Sequence, residues 1–469
     1  MEPEWSSGLD LLLDLSRDRV SRAGIERSLR QAIREGRLTP GAVLPSSRSL
    51  SRDLGVARGT VSVAYSQLAA EGYLDMRQGA PVRVRWRSRS TSPAAHPATR
   101  ATNARWDFRP GRPDSASFPR QAWTQAYRRV MSRAPDAIFG YGEPSGSGQL
   151  REALADYLGR ARGVDTDPAR LLICNGFTQA LTLTCRVLRT AGVTSLAVED
   201  PSAPRYGQLA EATGLTVVPI PCDQDGLRTD QLAASRATAA LVTPAHQYPL
   251  GVTMSAARRV ALVEWARQHQ ALIIEDDYDG EFRYDRQPVA ALQRLDPDHV
   301  IYVGTASKTL SPGLRLGWLS SPGALAAAFS VAKDQLDRGT SVLDQLTLAE
   351  LIATGAFDRH VRRMRTRYRS RRDELAQALA SAHPAIQMAG ISAGLHATIY
   401  LPEPEQSETQ LLARAERAAI ALHALGSYWH NPPRPRPPAI IVGYATPAGH
   451  AYQPALQALT ELLTSLSRH

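Results

Sequence analysis

Apolar residues at Ile25, Leu29 and Ile33 repeat every fourth position, which predicts a helix over residues 25–33. Gly36 and the Pro40-Gly41 pair end it. Ser46 and Ser47 offer an N-cap for a second helix that buries Leu50 and Leu54. Gly55 turns the chain into a third helix, with Val61, Ala64, Tyr65 and Leu68 inward and Arg58, Thr60, Ser62 and Ser66 outward. Glu71-Gly72-Tyr73-Leu74 stops that helix and starts a strand. Gln78-Gly79 makes a tip, and residues 82–86 alternate as the returning strand. Two helices across a glycine turn, then a hairpin, make a helix-turn-helix with a wing. Its third helix fits a major groove, with its first residues at base edges.

The pattern changes after that. From Ser88 to about residue 104 the chain is Ser, Thr, Pro, Ala and Arg with almost no large apolar residue, the composition of a flexible tether. Beyond it, short apolar runs at 171–174, 195–198, 239–243, 271–274 and 300–303 alternate with helical stretches. That is an α/β pattern with a mainly parallel sheet. The expected division is a winged helix over 1–87, a linker over 88–106 and an α/β unit over 107–469, the last with a smaller C-terminal α+β subdomain. A length of 469 residues agrees, being too great for one ordinary core.

Ligands in such sheets sit at the carboxyl ends of strands. After the first run comes Asn175-Gly176-Phe177-Thr178-Gln179, opening a helix whose free amides suit a phosphate. After the fourth comes Glu275-Asp276-Asp277-Tyr278, and after the fifth Thr305-Ala306-Ser307-Lys308. Lysine is almost absent: of 55 basic residues only Lys308 and Lys333 are not arginine. An amine can lose its proton and attack a carbonyl, which a guanidinium does not do. Lys308 has hydroxyls one and three residues before it and Arg315 seven after, which suits an aldehyde cofactor carrying a phosphate. Lys333, in Val331-Ala332-Lys333-Asp334, reads as a solvated helix position.

Charge sharpens the first unit. The net charge is +10, and residues 1–100 hold 16 arginines against 10 acids. The excess falls at Arg77, Arg83, Arg85, Arg87 and Arg89, the footprint of a nucleic-acid binder or else of a solvated strand and linker. The start of the chain shows no basic-then-apolar leader, and no run is long enough to span a membrane. Cys174, Cys185 and Cys222 have no metal-ligand spacing. Free thiols, a cytoplasmic location and no metal are expected.

The stretch "GRLTPGAVLPSSRSLSRDLGVARGTVSVAYSQLAAEGYLDMRQG" resembles the winged helix of the GntR family of transcription regulators. The resemblance implies DNA contacts from Arg48, Arg58, Thr60 and Ser62, and from Arg77, Gln78 and Gly79 in the wing. One departure is Gly79-Ala80-Pro81-Val82, where family members often read Gly-Ser-Gly-Thr; Pro81 stiffens the tip and removes a backbone donor. Residues 107–465 resemble the fold-type I enzymes that use pyridoxal 5'-phosphate (PLP), the class I/II aminotransferases. That likeness implies a Schiff base on Lys308, pairing of Asp276 with the pyridine nitrogen, and a bond from Tyr278 to the ring oxygen. It also implies phosphate contacts from Thr305, Ser307, Arg315 and the Gly176, Phe177 and Thr178 backbone.

The fusion of the two is similar to the MocR/GabR subfamily, as is Thr243-Pro244-Ala245-His246-Gln247-Tyr248-Pro249 in place of an aminotransferase Asn-Pro. The subfamily usually has Gly-Tyr where this chain has Ser202-Ala203, so either Tyr206 swings onto the cofactor ring or the ring lacks an aromatic lid. The resemblance implies effector contacts at Tyr141, Arg205 and Arg436. It implies a homodimer that binds double-stranded operator DNA and senses PLP, or PLP joined to a small amine or amino acid. Control of vitamin B6 synthesis genes is the first expectation, with weak or no transaminase turnover. Control of an amine or amino-acid catabolism operon, and an active aminotransferase with an accessory DNA-binding domain, are the alternatives.

Overall fold

The computed structural model describes residues 21–85, 104–284, 289–382, 386–401, 408–431 and 438–464. Two compact units divide the chain, Met1–Ala101 and Thr102–His469.

The first unit holds α1 (Arg22–Arg34), α2 (Ser47–Asp53) and α3 (Arg58–Ala70). The Ser21 side chain accepts from the Gly24 amide to start α1, and Ser46, rather than Ser47, caps α2 by accepting from Ser49. Gly55 adopts φ +66°, which turns the chain into α3. Ile25, Leu29, Ile33, Leu50, Val61, Ala64, Tyr65 and Leu68 form one core, while Leu54 is only half-buried at its edge. The wing is β1 (Leu74–Asp75) against β2 (Arg83–Val84), antiparallel with Leu74 opposite Val84. Trp86, Arg87, Arg89 and residues 88–103 of the expected tether lie outside the described residues.

The second unit begins with β3 (Trp106–Asp107). A sheet follows from β4 (Leu171–Cys174), β5 (Ser195–Asp200), β6 (Thr216–Asp223), β7 (Gly226–Leu227), β8 (Ala239–Val242), β9 (Leu272–Asp276), β10 (Val300–Thr305) and β11 (Gly317–Ser320). Its order is β4-β11-β10-β9-β8-β5-β6-β7, parallel from β10 to β6, with β11 and β7 running against their neighbours. Every residue of β4, β5, β8, β10 and β11 is buried, so those strands show no alternation of buried and exposed positions. Helices α4 (Phe177–Thr190), α5 (Pro204–Ala212) and α6 (Ala326–Asp337) belong to this part. The long α7 (Ala356–Ala382) leads to a small antiparallel sheet. That sheet is β12 (Gln387–Ala389), β13 (His396–Tyr400), β16 (Ala439–Gly443) and β15 (His423–Ala424), and β14 (Ile420–Ala421) pairs with β3. Phe108, Phe282, Tyr368, Ile399 and Val442 fill its core.

Three strands of the large sheet, β6, β7 and β11, go beyond the five expected. Pro219 and Pro221 break the apolar run in β6, and β11 follows the Lys308 loop with only four residues. Three expected strands are longer: β5 reaches Asp200, β10 reaches Thr305 and β9 reaches Asp276, so that last carboxylate ends a strand instead of following it. Cys174, Cys185 and Cys222 are free thiols. Among the described residues, no helix is long and apolar enough to cross a membrane.

Candidate cofactor site and DNA-binding face

Three parallel strands deliver the candidate chemistry to one edge of the sheet. At the end of β10, Thr305 starts the short helical turn Ala306–Thr309 and accepts from the Ser307 amide at 3.1 Å. That turn presents Lys308, whose ammonium donates to the Gly111 carbonyl. Burial pushes its amine below the ordinary lysine range, against the pull of Asp276 and Asp279. The buried His360 ring lies 2.8 Å from the Thr309 carbonyl, fixing the far side of the turn to α7.

At the end of β9, Asp276 is 2% exposed. Its Oδ2 accepts from the Tyr206 hydroxyl at 2.7 Å, and its Oδ1 is buried with no hydrogen-bond partner among the described residues. Burial pushes this carboxyl up to about 8, opposed by the Tyr206 bond and the Lys308 charge. A buried carboxylate oxygen without a donor is costly unless a ligand supplies one. Tyr206, on the first turn of α5, also packs on Phe177 with ring centroids 5.4 Å apart.

Tyr278 is buried, and its hydroxyl donates to the His246 carbonyl and lies 3.0 Å from His246 Nδ1. The same Nδ1 lies 3.0 Å from Asp279 Oδ2. A carboxylate facing a ring nitrogen favours the tautomer that puts the proton there. His246, Asp279 and His396 bring possible ligand atoms within 4.8 Å of one another. The cavity beside them is also lined by Arg162 and Arg283, a poor setting for a cation.

The expected phosphate contacts gather around a turn. Gly176 takes φ +79° and starts α4 with no side-chain cap, leaving the first amides of a 14-residue helix open. Arg315 donates to the Asn175 carbonyl, and its guanidinium lies about where a Cβ on Gly176 would meet it, at 3.3 Å. A Cβ on Gly317 would lie 2.8 Å from the Gly176 Cα, so β11 and this turn approach too closely for a side chain. Thr305 Oγ1 donates to Ser307 Oγ at 2.9 Å.

The effector candidates fare differently. Tyr141 is 89% exposed, with Arg338 over its ring at 4.7 Å. Arg205 is exposed on the first turn of α5, and Arg436 lies outside the described residues. Lys333 corrects the sequence reading. It is fully buried, not solvated, and bonds Asp337, Gln179 and Thr340. Phe329, one turn earlier and also buried, marks the same inward face of α6.

In the first unit, Arg48, Arg58, Arg77, Gln78 and Gly79 are exposed, and Thr60 and Ser62 are half-buried. Arg58 opens α3, whose cap residue Ala57 makes no side-chain cap bond, so the helix start offers bare amides beside the arginine. Arg77 pairs with Asp75 at 3.3 Å. Val63, also on α3, is 47% exposed; an apolar group there suits a thymine methyl.

The family described as "Bacterial regulatory proteins, gntR family" matches residues 22–84, and "Aminotransferase class I and II" matches residues 111–421. The HTH-type pyridoxine biosynthesis transcriptional regulator PdxR of Corynebacterium glutamicum is 33% identical, over 86% of this chain and 88% of its own. The probable rhizopine catabolism regulatory protein MocR of Rhizobium meliloti is 32% identical, over 93% of this chain and 92% of its own. The chain belongs to the MocR/GabR subfamily of GntR regulators. Its second unit has the fold of the Pyrococcus horikoshii kynurenine aminotransferase. That structure aligns with TM-score 0.70 at 24% identity, over 79% of this chain and 93% of the other.

Two features of this regulator's site were not legible beforehand. The Tyr206–Asp276 bond joins residues 70 positions apart. The His246–Asp279 pair spans 33 positions. A buried acid at a strand end was the available signal for the first; the histidine in the His246-Gln247-Tyr248 run was the signal for the second.

Proposed function

We propose that the protein binds operator DNA through its winged helix and senses PLP on Lys308, controlling vitamin B6 synthesis genes. The observation that carries the cofactor reading is the Asp276 Oδ1, unpartnered among the described residues, in the same cluster as a lysine amine whose one hydrogen bond among them is to a backbone carbonyl. A protonated ring nitrogen would supply the missing donor. Arg315, Thr305, Ser307 and the open amides after Gly176 would hold the phosphate. PLP bound there supplies an electrophilic carbon that captures amines and a visible absorption that reports on it.

The vitamin B6 reading rests on the likeness to PdxR and on an incomplete carboxylate clamp, since Arg205 is exposed. The likeness to MocR keeps control of a catabolic operon as the second reading. A missing Asn-Pro at 246–249 supports slow or absent transaminase turnover, because misplaced reacting atoms cost rate steeply. A cleft of about 1250 Å³ rimmed by the exposed Tyr141 supports pairing with a second copy of this chain. PLP would then bias which spacing of DNA half-sites the dimer reaches.

The test has two arms. Borohydride should fix PLP to Lys308, and no such adduct should form on Lys308→Ala. Added PLP should change the footprint on the promoter of PLP synthesis genes. An adduct elsewhere in the chain sinks the cofactor reading; a footprint indifferent to PLP sinks the sensing one.

A further inference from the structure

The second lysine lies beneath the turn that opens α4. Lys333 Nζ donates to Asp337 at 2.6 and 2.9 Å, to Gln179 Oε1 at 3.0 Å and to Thr340 Oγ1 at 3.2 Å. Each acceptor but Thr340 touches the turn or its neighbour. Gln179 Oε1 also accepts from the Asn175 amide at 2.8 Å. Gln179 Nε2 and Asn175 Nδ2 both donate to Asp337 Oδ2, at 2.6 and 2.9 Å. Burial pushes the Asp337 carboxyl up, yet hydrogen bonds from Lys333 and Gln179 hold it below its usual range.

Two consequences follow from elementary chemistry. The lysine fixes which end of the Gln179 amide faces the Asn175 N–H, since an ammonium only donates and attracts the carbonyl oxygen. It also neutralises Asp337, which would otherwise place an unpaired negative charge beside a cradle meant for a phosphate. An arginine at this position would offer a flat fork instead of a compact head. The four acceptor atoms, on three residues, call for the compact head. That explains why a chain using arginine almost everywhere keeps a lysine here.

We propose that Lys333 is a positioning residue for phosphate binding: it orders the Asn175–Gly176 turn and cancels the Asp337 charge, without touching the ligand. This rests on the PLP reading above. It concerns the phosphate end of the ligand alone, which makes it separable.

The experiment compares PLP with pyridoxal, which lacks the phosphate, on the full-length protein by visible absorbance titration. Lys333→Met should weaken PLP about tenfold and leave pyridoxal unchanged, since the Asp337 carboxylate loses its counter-charge and the turn loses its anchor. Lys333→Arg should fall between. Lys333→Met with Asp337→Asn should recover part of the loss, because no uncompensated charge remains. Equal weakening of both ligands means a general packing defect and overturns the proposal, as does no weakening of either. If Lys333→Met does not fold, Lys333→Arg and the double variant carry the same comparison. Wild type that binds neither ligand overturns the PLP reading and this proposal with it. Wild type that binds both equally leaves the PLP reading standing and overturns the phosphate cradle.

Discussion

Lys308 and Lys333 are both enclosed, and both stand near a carboxylate. The difference is what their partners leave undone. Lys333 spends its donors on Asp337, Gln179 and Thr340, and Asp337 is in turn satisfied by Asn175 and Gln179. Among the described residues, Lys308 has a single backbone carbonyl, and Asp276 keeps one oxygen buried and unpaired. A closed network stabilises a turn. An open one is a request for a ligand. Rarity of lysine marks both residues and does not separate them; the completeness of the hydrogen bonding does.

The largest expected effect breaks the comparison outright. Lys308→Arg should abolish the visible band and the borohydride adduct, because a guanidinium forms no Schiff base. Lys333→Arg should keep both at saturating PLP and differ only in affinity. Mass mapping of the reduced adduct checks this, and a band surviving in Lys308→Arg sinks the assignment.

Asp276 gives the next largest effect, and a pH signature. Its folded pKa, about 8, lies above the ordinary 3.8. The folded PLP-free protein therefore binds a proton that the unfolded chain has lost between those values. Stability from this group is present below about 4 and is lost as pH rises towards 8. Asp276→Asn should remove that decline, making the PLP-free protein relatively more stable at high pH. The same change should weaken PLP, since the amide no longer meets a ring N–H with a full charge. Thermal melts across pH, with and without PLP, check both. A wild-type profile as flat as the variant's refutes the burial argument.

These residues also show how far sequence reaches. The winged helix was legible because its core is local: Val61, Ala64, Tyr65 and Leu68 repeat at helical spacing and are all buried. Asp276 and Lys308 were legible because both follow apolar runs that end at one edge of a sheet. Lys333 was misread because a lysine in a mixed helix looks solvated, and its partners Gln179 and Thr340 sit on other elements. Only its spacing from Phe329 hinted at burial. The sequence leaves Tyr206 as one of two options because the course of the loop before it decides where it points.

The same contrast carries to the DNA face at a smaller scale. Arg58 is exposed, and its Nε lies only 3.4 Å from the Ser47 hydroxyl, whereas Arg77 already pairs with Asp75. We predict that Arg58→Ala costs about 1–3 kcal/mol on operator DNA and relaxes one base position. Arg48→Ala should weaken operator and random DNA alike, lowering the salt slope by about one. Arg77→Ala should do less than either. Binding across a salt series measures all three. Wild-type affinity in both the Arg58 and Arg48 variants would mean that another surface reads DNA.

The smallest expected effect concerns a network that is closed on one side and open on the other. Asp279 holds the proton on His246 Nδ1, so the Tyr278 oxygen can only accept from that ring. The Tyr278 hydroxyl proton is then available to the His246 carbonyl or to an anionic ligand oxygen. Asp279→Asn lets the amide donate instead, and the imidazole changes tautomer. Nδ1 becomes an acceptor whose one lone pair the new amide and the Tyr278 hydroxyl compete for, which draws the Tyr278 donor away from a ligand oxygen. A donor on the PLP ring oxygen stabilises negative charge there and weakens the proton on the lysine nitrogen beside it. Losing that donor should raise the pH at which the visible band titrates, by about one unit. Tyr278→Phe should do the same, and adding Asp279→Asn to it should change nothing more. Additive shifts in the double variant would show that Asp279 acts by some route other than Tyr278.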